Sequence, residues 1–305
     1  MNSKVKNLLI RSVSGLVLAG VFAGAILWSY LTFALLVTVI AFGCQTEFYR
    51  LCRKGGTSPQ TILGILFSTV LAAPCLMIAL TSYNLSAVLN IEAVLTPYQS
   101  TLVLLIPLLM LMVAMIFVCQ LWRRTGTPVS DIGTTLAGVA YAMMPMLLLL
   151  FPRLLDTNVT TAGVWNGKVM LGYIFVIWAN DVFAYLVGCT IGRHRLCERL
   201  SPKKSWEGFF GGIAGAVLTG WAVSVWVHGS VAMWCGLAAL TAVTGVAGDL
   251  VESMFKRSAD VKDSGNILPG HGGMLDRFDS LLISTPFAFV YLLLYYLAVS
   301  IPDIL

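Results

Sequence analysis

Apolar positions along the 305-residue chain gather into long runs parted by short polar breaks. Nine such runs are readable, at roughly 8–28, 30–49, 61–80, 101–121, 132–151, 169–188, 208–228, 231–252 and 280–300. Each approaches the ~20 apolar residues an α-helix needs to cross the hydrocarbon. Sheet is not expected at that depth, because each unpaired backbone group in lipid costs several kcal/mol. The pattern predicts an all-α, polytopic integral membrane protein with about nine transmembrane helices, as one multi-span domain over 1–305.

Composition strengthens that picture. The chain is 58% hydrophobic and 11% charged, with a mean hydropathy of +0.87. A soluble domain carries roughly 25% charged residues, so a soluble protein is excluded. The opening "MNSKVKNLLIRSVSGLVLAGVFAGA" has the basic start and apolar run of a signal peptide. A second apolar run follows at once, which favours an uncleaved first span. The seven cysteines form no CxxC pair and sit mostly within apolar runs, so neither a disulfide framework nor a zinc site is supported.

Charge placement sets an orientation. With the N-terminus in the cytoplasm, all but two of the 19 lysines and arginines fall on that side, the exceptions being Arg153 and Lys168. That asymmetry is a strong positive-inside signal. It directs the polar clusters toward the cytoplasm, where nucleotides are.

The first half, to about residue 165, reads as structural spans. "TEFYRLCRKGG" (46–56) closes the second run and is read as an interfacial anchor. Polar residues concentrate instead in 170–290, in four places. In "WANDVFAYLVGCTIGRHR" (178–195), Asn180 and Asp181 interrupt an apolar span. A carboxylate inside the membrane is a functional candidate; an Asn/Asp pair bonding neighbouring helices is the plainer reading. In "RLSPKKSWEGFFGGIAG" (199–215), Ser201 and Pro202 break the chain, Lys203 and Lys204 bring charge, and Ser205 suits a helix cap. Positive charge beside unpaired helix-start N–H groups suits a phosphate, although paired lysines at a membrane edge often serve as topology anchors. Gly208 with Gly212, and Gly211 with Gly215, form GxxxG pairs for close helix packing.

In "GDLVESMFKR" (248–257), Asp249, Glu252, Ser253 and Lys256 share one helical face. A polar stripe on an apolar helix lines a wet cavity or binds an ion. The fourth cluster, "KDSGNILPGHGGMLDRFDS" (262–280), holds Lys262, Asp263, His271, Gly272 and Gly273 before Asp276, Arg277 and Asp279 open the last span. Glycines let backbone N–H groups approach a phosphate, and carboxylates from two helices are the ligands Mg²⁺ takes beside nucleotide phosphates. His271 fits either a turn residue or a catalyst.

Carboxylates and many basic groups on one cytoplasmic-facing site suggest phosphoryl or nucleotidyl transfer. No GxxxxGK[ST], Ser-His-Asp arrangement or HExxH is evident. A cation-coupled transporter would use the same residue types. Transporter sites lie near the midplane, however, whereas these clusters gather at one face.

The stretch "SMFKRSADVKDSGNILPGHGGMLDRFDS" (253–280) resembles the signature of the phosphatidate cytidylyltransferases, or CDP-diacylglycerol synthases. The fixed positions are met by Ser253, Lys256, Arg257, Lys262, Asp263, Gly265, Pro269, His271, Gly272, Gly273, Asp276, Arg277 and Asp279. "SPKKSWEG" and the Asn-Asp span are also similar to family features. The resemblance implies CTP + phosphatidate → CDP-diacylglycerol + diphosphate in phospholipid synthesis, with Mg²⁺, alone or with a second cation, as cofactor. It places Asp249 and Asp276 at the metal, with Asp279 and Asp263 in support. Lys256, Arg257, Lys262 and Arg277 would hold phosphates, and Lys203, Lys204 and Ser205 a headgroup or triphosphate. Ser253, Asn180 and Asp181 join the substrate-binding candidates. Asp249, Asp276, Lys256 and His271 are the catalytic ones, His271 the weakest because phosphatidate already carries a nucleophilic oxyanion. Another membrane nucleotidyltransferase or a lipid kinase, for example one acting on an isoprenoid lipid, is the neighbouring alternative. Nucleic acid is not an expected partner; a homodimer through the Gly-rich helix faces is, in a bacterial cytoplasmic (inner) membrane.

Overall fold

The computed structural model describes residues 3–85, 91–150, 167–265, 267 and 272–300. Helices follow the apolar runs: α1 (Ser3–Trp28), α2 (Tyr30–Lys54), α3 (Thr61–Leu85), α4 (Ile91–Gln120), α5 (Pro128–Gly138), α6 (Met144–Leu148), α7 (Gly167–Ile191), α8 (Trp206–Trp226), α9 (Val231–Ser258) and α10 (Leu275–Ser300). The protein is thus all-α and polytopic. Among the described residues, six helical segments are long and apolar enough to cross a membrane: α2, Pro128–Leu148, α7, α8, α9 and Leu275–Val299. Shorter apolar stretches lie in α1, α3 and α4, at Gly15–Trp28, Thr61–Met77 and Leu105–Gln120. Large apolar side chains such as Val39, Ile62, Leu218 and Leu294 face outward, as lipid-facing helices require.

Local chemistry sets the breaks. Ser29 parts α1 from α2 through a capping box: its Oγ accepts from Thr32 N at 3.1 Å, and Thr32 Oγ1 accepts from Ser29 N at 3.2 Å. Between α5 and α6, Val139–Met143 forms a π-helical turn just before Pro145. Proline lacks the N–H that would continue the α ladder, and a π turn takes up the mismatch.

The chain divides into two compact units. The first comprises 1–150 together with 258–275, so the glycine-rich segment groups with the first half of the chain. Its centre is α2. Tyr49 donates to Thr135 O at 2.8 Å and accepts from Gln45 Nε2 at 2.9 Å. Gly64 and Gly138 flank its ring; a Cβ at either would lie 2.8 or 2.6 Å from Tyr49 Cζ. Buried Asp131 accepts from Ser58 N at 2.6 Å, Thr127 Oγ1 at 3.2 Å and Gln120 Nε2 at 3.3 Å. Gln60 donates to Gln120 Oε1 at 2.7 Å. These bonds join the start of α3, the end of α4 and the start of α5, and they satisfy polar groups that would be costly in an apolar setting.

The second unit comprises 151–257 and 276–305. Here α8 lies directly on α7. A Cβ at Gly208 would sit 2.7 Å from Ala184 O, at Gly211 2.6 Å from Val187 Cβ, at Gly212 2.6 Å from Asn180 Oδ1, and at Gly215 2.5 Å from Phe183 Cβ. Both GxxxG faces are therefore covered by α7 of the same chain, and a homodimer through them would have to displace it. Val176, Ala216, Ala238 and Ala242 form the adjoining core, with Ile213 against them.

A two-stranded antiparallel ribbon, not expected from the sequence, joins α7 to α8: β1 (Arg195–Cys197) pairs with β2 (Ser201–Ser205). Glu207, in the first turn of α8, accepts from the N–H groups of Arg193 and His194 and contacts His194 Nδ1 at 2.6 Å. Ser205 ends β2 and caps α8, its Oγ accepting from Gly208 N at 3.1 Å. Lys203 and Lys204 thus sit on a fixed ribbon.

Candidate active site

Helices α9 and α10 run antiparallel in contact. Tyr291 donates to Met233 O at 3.3 Å, and further along a Cβ at Gly245 would meet Ser280 Cβ at 3.6 Å. One turn on, Gly248 permits a closer approach, since a Cβ there would lie 2.5 Å from Asp279 O and 3.1 Å from Ser280 Cα. That crossing brings Asp279 beside Asp249. Carboxylate oxygens of Asp249, Glu252 and Asp279 all lie within 4.8 Å of one another. Asp279 Oδ1 also accepts from Ser280 N at 2.7 Å, which fixes its rotamer. Three carboxylates at this spacing repel one another, and hard oxygen donors from two helices suit Mg²⁺.

Two lysines bracket the carboxylates. Lys204, reaching in from β2, forms an ion pair with Asp249. Lys256, one turn beyond Glu252, pairs with Glu252 and lies 2.7 Å from Asp276 Oδ1. The two ends differ in access. Side-chain exposure is 26% for Lys204 and 34% for Asp249, against 12%, 1% and 8% for Lys256, Glu252 and Asp276. The Lys204–Asp249 end is therefore the more accessible one.

Asp181 lies within electrostatic range of Lys204 and Asp249, and Asp279 within range of all three. Ser253 Oγ is 3.4 Å from Asp249 Oδ1. Asn180 is buried beneath Gly212 at the α7–α8 contact. Lys203, Arg257 and Arg277 are exposed. Of the paired acidic residues opening α10, Asp279 joins Asp249, while Asp276 meets Lys256 and Glu252. Lys262 and Asp263 are exposed and belong to the first unit. His271 and Pro269 lie outside the described residues.

Glu47 was missed. Reading 46–56 as an interfacial anchor places it at the membrane surface, yet its side chain is fully buried in the first unit. Its Oε2 accepts from Ser264 Oγ at 3.0 Å and Leu275 N at 2.8 Å, and its Oε1 from Met274 N at 2.9 Å. Gly265 and Gly273 press against the same carboxylate: a Cβ would come within 2.8 and 2.7 Å of Glu47 Cδ, respectively. Gly272 adopts φ +83°, a conformation glycine takes without strain. The rule that singled out Asp181, a carboxylate within an apolar run, applies equally to Glu47.

The site can be set beside known proteins. The profile of the cytidylyltransferase family matches residues 9–295. A phosphatidate cytidylyltransferase of Haemophilus influenzae is 40% identical over 137 residues, 42% of this chain and 46% of that protein. One of Staphylococcus saprophyticus is 44% identical over 113 residues, 36% of this chain and 44% of that protein. One of Rickettsia bellii is 33% identical over 164 residues, 51% of this chain and 70% of that protein. The aligned stretch thus spans less than half the length of the first two relatives and more than two thirds of the third. With the family profile covering nearly the whole chain, this protein belongs to the cytidylyltransferase family.

Proposed function

We propose that the protein is a phosphatidate cytidylyltransferase that makes CDP-diacylglycerol and diphosphate from CTP and phosphatidate. The observation that carries this reading is the gathering of Asp249, Glu252 and Asp279 between Lys204 and Lys256. The relatives' names supply the substrates. In the reaction a phosphate oxygen of phosphatidate forms a bond to the α-phosphorus of CTP, and the bond from that phosphorus to the bridging oxygen of diphosphate breaks. The attacking oxygen is already anionic, so no residue need remove a proton, and His271 is not required as a base.

The carboxylate set fits a divalent cation: three hard oxygen donors from two helices, held by close backbone packing at Gly248. Asp249, Glu252 and Asp279 would hold Mg²⁺, which supplies charge neutralisation for the triphosphate and the leaving diphosphate. Lys204 and Lys256 present ammonium groups on either side of those carboxylates and orient phosphate oxygens. Asp276 fixes Lys256 by an ion pair. Lys203, Arg257 and Arg277 are further exposed basic groups that would add positive charge for the phosphates. The charge asymmetry supports a cytoplasmic-facing site, and the bacterial relatives support a cytoplasmic membrane.

The test is direct. Purified protein in detergent or liposomes receives phosphatidate, one nucleoside triphosphate at a time, and Mg²⁺. Diphosphate release with CTP and phosphatidate together, and accumulation of a CDP-lipid, are expected. Turnover of an isoprenoid lipid in place of phosphatidate would overturn the substrate assignment.

A further inference from the structure

The glycine-rich segment must return the chain from α9 to α10, and among the described residues its two ends converge on one side chain. Ser264 precedes the His-Gly-Gly stretch in sequence and Met274 and Leu275 follow it; all three donate to Glu47. The partners are 217, 227 and 228 residues away in sequence. Leu275 is the first residue of α10. Its N–H is one of the four at a helix start without an intrahelical acceptor, and a carboxylate there is favoured by the helix dipole. The carboxylate of Glu47 is thus an end cap supplied by a different helix. Glycine at 265 and 273 is what lets the backbone come this close.

We infer that Glu47 is a positioning residue for the reaction: by tying Ser264 to the first N–H groups of α10, it fixes the helix start from which Asp276 and Asp279 project. This deepens the proposed function and rests on it for the catalytic consequence, though not for the clamp. The link is the covalent continuity of α10, because Asp276 follows Leu275 directly and Asp279 lies one turn on. A helix start free to fray moves both side chains, and a small misplacement of groups that bind a reacting phosphate lowers turnover steeply.

Glu47→Gln is the informative substitution. It keeps shape and volume but offers one acceptor oxygen where two are used. Its amide N–H would face the N–H of Met274 or Leu275, a donor against a donor. Hydrogen exchange followed by mass spectrometry should show the amides of Met274 and Leu275 exchanging about tenfold faster or more, the change expected on losing a hydrogen bond to a charged acceptor. Amides around Asp131 in α5, in the same unit, should exchange as in the parent. With CTP and phosphatidate, kcat should fall at least tenfold, with KM for phosphatidate changed by less than a factor of about two, and half-saturating Mg²⁺ should rise severalfold. Ser264→Ala removes one of the three bonds from the far side and should move each readout the same way, less far. It serves alone if Glu47→Gln fails to insert.

Unchanged exchange at 274–275 in either variant would refute the clamp. Faster exchange there with parental kcat would refute the positioning role and leave a structural tie. Faster exchange throughout α2–α5, with kcat falling only as the folded fraction falls, would likewise overturn it. A parent protein inactive on phosphatidate would sink the proposed function, while the exchange result would still decide whether Glu47 holds the helix start.

Discussion

Lys256 on α9 reaches Asp276 at the start of α10, Nζ to Oδ1 2.7 Å, while holding Glu252 one turn back on its own helix. Both carboxylates are nearly inaccessible, at 8% and 1% exposure. The ammonium is what makes their burial tolerable. Lys256→Met keeps most of the stem and deletes the charge, leaving two carboxylates uncompensated. Breaking a buried ion pair from one side typically costs about 3–5 kcal/mol. Unfolding of the variant in detergent, followed by heat or denaturant, should show a loss of that order. Adding Glu252→Gln should recover part of it, because one buried charge is then absent. Parental stability in Lys256→Met would mean the ammonium is not needed there.

The same helix pair offers a matched steric test. At Gly248 an added methyl would meet the backbone of Asp279 at 2.5 Å, and backbone has nowhere to go. At Gly245, one turn earlier, the nearest atom is Ser280 Cβ at 3.6 Å, an ordinary contact. Gly248→Ala should therefore cost about 1–3 kcal/mol from overpacking and separate Asp249 from Asp279, with a large loss of turnover. Gly245→Ala should be near neutral in both. Equal behaviour of the two variants would contradict the close crossing of α9 and α10 at Gly248.

How far these features could be read from the sequence depends on range. The helical runs and the stripe of Asp249, Glu252, Ser253 and Lys256 are local facts of spacing, and both were legible. Which of Asp276 and Asp279 faces Asp249 was not, because i, i+3 spacing puts both on one face and only the register of α9 against α10 separates them. That register is set by the contact at Gly248, a glycine with no distinguishing sequence context. The ribbon of β1 and β2 is not legible because Ser-Pro reads as a break, and the bonds at its base, from the N–H groups of 193 and 194 to Glu207, join residues 14 and 13 apart in sequence. Glu47 escaped for the same reason of range: its neighbours are aromatic and basic, while its partners lie more than 200 residues on.

The two lysines of "SPKKS" should separate. The sequence treats them alike, as phosphate ligands. In the structure Lys204 pairs with Asp249 while Lys203 is exposed on the same strand. Lys203→Ala should raise KM for the phosphate-bearing substrate by about tenfold, the value of a charged hydrogen bond worth roughly 1.5 kcal/mol, with kcat and Mg²⁺ dependence little changed. Lys204→Ala removes the cation that competes for Asp249. Its half-saturating Mg²⁺ concentration should fall even as turnover drops, because the carboxylates are left with more negative charge to offset. Identical Mg²⁺ titrations for the two variants would place Lys204 away from the metal-binding carboxylates.

The carboxylates themselves give the sharpest expectation. If Asp249 and Asp279 jointly hold the divalent cation, they act as one unit, and loss of either removes most of what both provide. Asp279→Asn preserves the acceptor for Ser280 N while deleting a charge, so the local fold is retained. Turnover measured as diphosphate release should fall by several orders of magnitude in Asp249→Asn and in Asp279→Asn. The double variant should be little worse than either single one, the non-additivity expected of parts that work together. Asp276→Asn should also lose tenfold or more, through weaker fixation of Lys256. Its half-saturating Mg²⁺ should shift less than that of Asp279→Asn, since its oxygen faces an ammonium in this structure. Raised Mg²⁺ or Mn²⁺ should restore part of the activity of the Asp249 or Asp279 variants, and direct Mn²⁺ binding, read by electron paramagnetic resonance, should weaken in both. Strictly additive losses, or undiminished Mn²⁺ binding in Asp279→Asn, would move the metal elsewhere and return Asp276 to the place the signature assigns it.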